Sequence, residues 1–121
     1  MKRVAMVEDN PDNRLLLCAM LEDHFVLDEY DSGLAALTGL EATPADLVLL
    51  DISLPEMDGP EVLVRLRAAP WFGARPIIAL TAHAMAGDRE RFLAMGFDDY
   101  VSKPIVDDAA LIATIQRQLG Q

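Results

Sequence analysis

Cysteine is nearly missing from this 121-residue chain, which holds a single one, Cys18. A lone cysteine inside a helical pattern excludes a disulfide framework and a cysteine-based metal centre, and it suits a reducing cytoplasm. Basic residues are scarce as well: ten Lys and Arg stand against twenty Asp and Glu, for a net charge of −10. Such a chain repels phosphate backbones and anionic lipid, which argues against nucleic-acid binding. No run of about 18 apolar residues is available for a membrane span. The opening "MKRVAMVEDN" turns acidic after four apolar residues, too soon for a signal peptide. A soluble, cytoplasmic protein without membrane insertion is expected. Repeats, low-complexity tracts and linkers are also lacking. A 52% hydrophobic content suffices for a real core, so residues 1–121 are expected to form one domain.

What is present is an alternation of strand and helix patterns. Short strands are expected at Arg3 to Val7, Phe25 to Tyr30, Leu47 to Leu50, Pro76 to Leu80 and Tyr100 to Ser102, the second amphipathic and so at an edge. Between them, "PDNRLLLCAMLEDH" starts with Pro11 in the first helical position after Asn10 as cap, and Asn13, Leu16, Leu17, Met20 and Leu21 form its core stripe. Leu15 and Cys18 fall off that stripe. Further helices follow Ser32 and begin at Gly59, while "MAGDRERFLAMG" and "VDDAALIATIQRQLG" end on the glycines Gly96 and Gly120. In "APWFGARP", Trp71 and Phe72 are expected to cover the third helix against the sheet. Asp58 with Gly59 makes a turn signal and should cap that helix. Glu41, Asp107 and Asp108 read as scattered surface acids.

Five strands alternating with five helices imply an α/β fold, a doubly wound parallel sheet covered on both faces. With strand order 2-1-3-4-5, the ligand crevice lies at the carboxyl ends of strands 1 and 3. The strands end in Glu8-Asp9, Asp31, Asp51, Thr81 and Lys103, so useful side chains gather at one rim. Glu8, Asp9 and Asp51 would then sit together, and three carboxylates at one place call for a cation. An all-oxygen set of few protein ligands suits Mg²⁺. With the metal and Lys103 the charges balance. Asp51 is placed to act as a nucleophile toward phosphorus, forming an acyl phosphate. The metal, Lys103 and the Thr81 hydroxyl would offset charge on the transferring group.

These residues resemble the receiver domain of two-component response regulators over essentially the whole chain: the acidic pair Glu8-Asp9, "LLDISLPEMDG", "ALTAHA" and "DYVSKPI". The resemblance implies a flavodoxin-like (βα)5 fold and phosphorylation of Asp51 from a histidine kinase or histidine phosphotransfer protein. It implies Mg²⁺ held by Asp9, Asp51 and the main-chain carbonyl of Ser53, with Glu8 acting through water. Thr81 and Tyr100 match the switch pair, Lys103 the phosphate-binding lysine, and Lys103-Pro104 a bond that is usually cis. Ser53 and His83 match positions that tune phosphoryl lifetime. Glu8 stands where aspartate is commoner. The expected function is therefore a phospho-accepting signalling module, not an enzyme acting on other substrates, that changes its α4-β5-α5 face toward a downstream protein. Met85, Phe92 and Met95 are candidates for that face, and the chain is expected to be a monomer or weak dimer. No output domain follows Gly120, so a stand-alone regulator or relay is expected unless the chain is one domain of a larger protein. Two other readings stay open. An aspartate-nucleophile phosphohydrolase would need an Asp-x-Asp pair and a cap, whereas Asp51 is followed by Ile52-Ser53. A phosphorylation-independent binding module would have no use for Asp9, Asp51, Thr81 and Lys103 together.

Overall fold

The computed structural model describes residues 1–82 and 87–120. Five strands, β1 (Arg3–Val7), β2 (Val26–Tyr30), β3 (Leu47–Asp51), β4 (Ile77–Thr81) and β5 (Asp99–Ser102), alternate with five helices. These are α1 (Pro11–Leu21), α2 (Gly33–Ala42), α3 (Gly59–Ala68), α4 (Asp88–Met95) and α5 (Asp108–Gln118). All strand pairs are parallel, in the order β2-β1-β3-β4-β5. The amphipathic second strand is at an edge, as expected, and the fully buried β3, apolar up to its last residue Asp51, lies in the middle.

Strand periodicity sorts the side chains into two cores. Val4, Met6, Leu47, Leu49, Ile78 and Leu80 face Leu17 and Leu21 of α1 and Leu111 and Ile115 of α5. Ala5, Val7, Val48, Leu50, Ile77 and Ala79 face α2, α3 and α4, with Phe72, Phe92 and Phe97 filling that side. Trp71 and Phe72 meet edge to face at 6.0 Å and pack on this second core, as their position after α3 predicted.

Helix starts follow their cap residues. Asn10 Oδ1 accepts from the amides of Asp12 and Asn13 with Pro11 at the first position, and Asp58 Oδ1 accepts from Glu61 N at 3.0 Å. Asp107 is more than a surface acid, because its Oδ1 accepts from Ala110 N and caps α5. Several expectations need correction. The first helix stops at Leu21, short of His24. Leu16 is 42% exposed although it belongs to the expected stripe, and Cys18, off that stripe, is half-buried against the core. Phe92 is a core residue rather than part of an exposed face, whereas Met95 is exposed. Met85 and His83 lie outside the described residues.

The start of β5 is tied to both neighbouring helices. The buried Asp99 carboxylate accepts from Arg89 of α4 at 2.9 Å and from Arg117 of α5 at 3.3 Å. Next to it, Asp98 holds Arg67 of α3 at 2.7 Å and the Ile77 amide at 2.8 Å. Charged hydrogen bonds of this kind are the stronger ones.

Candidate functional site

The site lies where β1, β3, β4 and β5 end. In β3, Asp51 falls in line with Leu47 and Leu49. Glu8, one residue past β1, continues the line of Val4 and Met6. Period-two alternation therefore turns both acids toward the side covered by α1 and α5. Thr81 continues the line of Ile77 and Ala79 and turns to the opposite side. Glu8, Asp51 and Thr81 are buried, at 1%, 2% and 1% exposure, whereas Asp9 reaches solvent.

One oxygen from each of Glu8, Asp9 and Asp51 lies within 4.8 Å of the others. Lys103, carried in just after β5, puts Nζ 2.9 Å from Asp51 Oδ2 and 3.0 Å from Glu8 Oε1. Its own amide donates to the Thr81 carbonyl at 2.7 Å, which continues the β4–β5 ladder past Ser102. The other Asp51 oxygen, Oδ1, accepts from the Ser53 amide at 2.9 Å. The Lys103-Pro104 peptide is cis, as expected. After the acid, the chain turns closely enough that Gly59 lies against the Asp51 carbonyl and Ile52 Cα, where a Cβ would find no room.

Electrostatics follow from this crowding. Burial raises the Glu8 pKa above its ordinary 4.5, and the neighbouring Asp51 carboxylate adds to that, while Lys103 and the Asn10 amide pull it down. Burial lowers the Lys103 pKa, but hydrogen bonds to Asp51 and Glu8 outweigh it and leave the ammonium above its ordinary value. Three carboxylates and one ammonium leave an excess of negative charge. The donor set is all oxygen, two members are buried and the third is open to water. That composition fits a hard divalent cation that keeps part of its hydration shell.

Expected residues therefore divide into those brought together and those apart. Glu8, Asp9, Asp51, Ser53 and Lys103 converge, and Thr81 joins them through its carbonyl. Tyr100 lies outside the group, half-buried with its ring 5.7 Å from that of Phe92. Two residues were missed as neighbours of the acids. Asn13, assigned to the core stripe, donates from Nδ2 to Glu8 Oε1 at 3.1 Å. Arg14 donates from Nη1 to the Glu8 carbonyl at 2.7 Å and the Asp9 carbonyl at 3.2 Å, and its Nε faces Glu29 at 3.7 Å. The i, i+4 column of Asn13, Leu17 and Leu21 was the available signal.

Comparison with known proteins agrees with this geometry. Residues 4–116 match the response regulator receiver domain. Over 109 residues the chain is 43% identical to the sensor histidine kinase GacS of Pseudomonas protegens, covering 85% of this chain but 12% of that protein. A 14.6 kDa uncharacterized protein of Leptolyngbya boryana is 41% identical over 115 residues, 94% of this chain and 87% of its own length. Among solved structures, the receiver domain of sensor histidine kinase PA1611 from Pseudomonas aeruginosa PAO1 superposes with a TM-score of 0.88 at 36% identity. That match covers 99% of this chain and 98% of the other, and that crystal structure has a magnesium ion coordinated in its active-site cleft. The chain thus spans about an eighth of the length of the sensor kinase it matches. With five parallel strands in this order, acids and a lysine at their ends, and a match over residues 4–116, the chain belongs to the response regulator receiver domain family.

Proposed function

We propose that this chain accepts a phosphoryl group on Asp51. A carboxylate oxygen of Asp51 attacks the phosphorus of a phosphohistidine, the P–N bond breaks, and the imidazole leaves with that electron pair and takes up a proton. Asp51 is left as an acyl phosphate. On return, water attacks phosphorus, the bond to Asp51 breaks, and inorganic phosphate is released. The observation that carries this reading is the buried Asp51 carboxylate with Lys103 Nζ at 2.9 Å and the Glu8 and Asp9 carboxylates beside it.

Each neighbour has a proposed part. Asp9, Asp51 and the Ser53 carbonyl, with Glu8, are the proposed holders of Mg²⁺, which when bound neutralises charge on the phosphoryl oxygens. Lys103 supplies the second positive charge, and the Thr81 hydroxyl donates to a phosphoryl oxygen. Ser53 is proposed to tune the lifetime of the group, and the resemblance alone gives His83, which lies outside the described residues, the same part. Drawing Thr81 toward the phosphoryl group makes room for Tyr100, and the α4-β5-α5 face shifts its population toward a form that a downstream protein binds. Support for coupling these two comes from the register, in which Ala79 pairs with Tyr100 and Thr81 with Ser102 on one face. The chain catalyses only its own phosphorylation and dephosphorylation.

The phosphodonor is proposed to be a histidine kinase or a histidine phosphotransfer protein, and the site of action the cytoplasm. Among the described residues no helix is long and apolar enough to cross a membrane. Residues 1–121 are proposed to act as one receiver domain, monomeric or weakly dimeric. Incubation with Mg²⁺ and acetyl phosphate tests the chemistry by intact mass. One acid-stable, base-labile phosphoryl adduct is expected, absent from Asp51→Asn. No adduct, or one that persists in Asp51→Asn, overturns the reading. Rapid multiple turnover of phosphate esters would instead favour a hydrolase.

A further inference from the structure

The Glu8 carboxylate has more partners than a metal-site acid reaching out through water requires. Its Oε2 accepts from the Asn10 amide at 3.2 Å, and its Oε1 accepts from Asn13 Nδ2 at 3.1 Å and from Lys103 Nζ at 3.0 Å. Among the described residues no buried side-chain polar atom is left without a partner. Compared with an aspartate, Glu8 has one more torsion to freeze before its carboxylate is held in one place, and freezing it costs side-chain entropy. The donors that freeze it come from the first turn of α1. Asn13 is the third residue of that helix, on the column of Leu17 and Leu21. Those two are buried against the sheet, while Asn13 projects past the sheet's end onto Glu8.

We propose that Asn13 is a positioning residue of the phosphorylation site, fixing the Glu8 carboxylate so that it orders both the metal-binding acids and Lys103. This rests on the reading of Asp51 as phosphoryl acceptor. In the present geometry the Lys103 ammonium is shared between Glu8 and Asp51. When it turns to a phosphoryl group on Asp51, the Asn10 amide and Asn13 are the donors that remain on Glu8. Arg14 steadies the same turn from behind by holding the Glu8 and Asp9 carbonyls. Partners behind a metal ligand commonly change metal affinity by about 10–100-fold when removed.

The test is a double-mutant cycle read by direct calorimetric titration of the purified chain with Mg²⁺, with no phosphodonor present. Asn13→Ala is expected to weaken Mg²⁺ binding by roughly tenfold. Glu8→Asp retracts the carboxylate by about one carbon–carbon bond, ~1.5 Å, beyond hydrogen-bond reach of Asn13. In that background Asn13→Ala should then change the affinity by less than about twofold, because the two residues no longer couple. An Asn13 that served only the helix would carry the same penalty in both backgrounds, and that result overturns the proposal. So does an Asn13→Ala affinity within about twofold of the unaltered chain. Asn13→Ser keeps a polar first-turn residue too short to reach Glu8, and gives the same measurement should the alanine variant fail to fold. If the unaltered chain binds Mg²⁺ and is phosphorylated while Asn13→Ala is indifferent, only the positioning role falls. An unaltered chain that takes no Mg²⁺ overturns both.

Discussion

Replacing Lys103 by methionine keeps most of the side-chain volume and removes the ammonium that bridges two buried carboxylates. Lys103 Nζ is 2.9 Å from Asp51 and 3.0 Å from Glu8, and Lys103 itself is only partly exposed. Without it, two charges no more than 4.8 Å apart face each other. At an effective dielectric constant of about 20 their repulsion is about 3.5 kcal/mol, in line with the ~3–5 kcal/mol that breaking a buried ion pair costs. A domain of this size is stable by only about 5–15 kcal/mol, so the loss should be plain in urea unfolding. The pH dependence carries the finer test. Glu8 already has a raised pKa, from burial first and Asp51 second, and Lys103 opposes that shift. A raised carboxyl pKa contributes stability below the unfolded-state value that disappears as pH climbs through the folded-state value. Removing Lys103 pushes the folded-state value higher still, so the deficit of Lys103→Met must grow from pH 5 to pH 8. In EDTA we expect about 3 kcal/mol at pH 8, about 1 kcal/mol at pH 5, and recovery of most of the pH 8 deficit on adding Mg²⁺. A deficit below about 1 kcal/mol at pH 8, or one that increases on acidification, would refute the electrostatic account.

Three other perturbations reach different parts of the molecule. Gly59→Ala places a Cβ against the Asp51 carbonyl and 2.5 Å from Ile52 Cα, both rigid backbone, and should cost about 2 kcal/mol or more in urea unfolding while slowing phosphoryl uptake from acetyl phosphate. Asp58→Ala removes the cap of α3 and should cost ~1 kcal/mol, with Mg²⁺ affinity unchanged by titration; a parallel loss of affinity would assign Asp58 to the site. Burial, helped by a hydrogen bond to Glu29, pushes the Cys18 thiol up to about 11. Labelling by iodoacetamide at pH 8.5 should therefore be on the order of 100-fold slower in the folded chain than in urea, and should accelerate toward pH 11. Equal rates folded and unfolded would show the thiol to be unprotected.

Much of this architecture could be read from local chemistry. Apolar runs ending in Asp51, Thr81 and the Glu8-Asp9 pair announce strand ends at a crevice, because in an inner strand covered on both faces a polar or charged group is best tolerated where the strand leaves its sheet. Asn10 and Asp58 betray helix starts, since their short side chains compete for free amides. Asn13 was legible only in part. Helical periodicity assigns a column to a face but does not say where along the helix the supporting sheet stops. Leu17 and Leu21 lie over strands and Asn13 beyond them, and that depends on the packing of α1 rather than on its spacing. Leu16 fails as a core residue for the same reason: beside the first turn it borders the rim, next to Lys103, Pro104 and Ile105. Periodicity does not place Phe92 in the core, because a short helix with exposed Leu93 and Met95 has too few turns to separate its faces.

The fifth strand carries a further mechanical implication. Asp99 at its start grips one arginine from each flanking helix, and Lys103, just past its end, grips the acceptor carboxylate. Four residues of extended chain, about 13 Å, join these two anchors. A strand of that length barely stretches, so it acts as a spacer that fixes how far the carboxylate mooring α4 and α5 stands from the backbone carrying the ammonium.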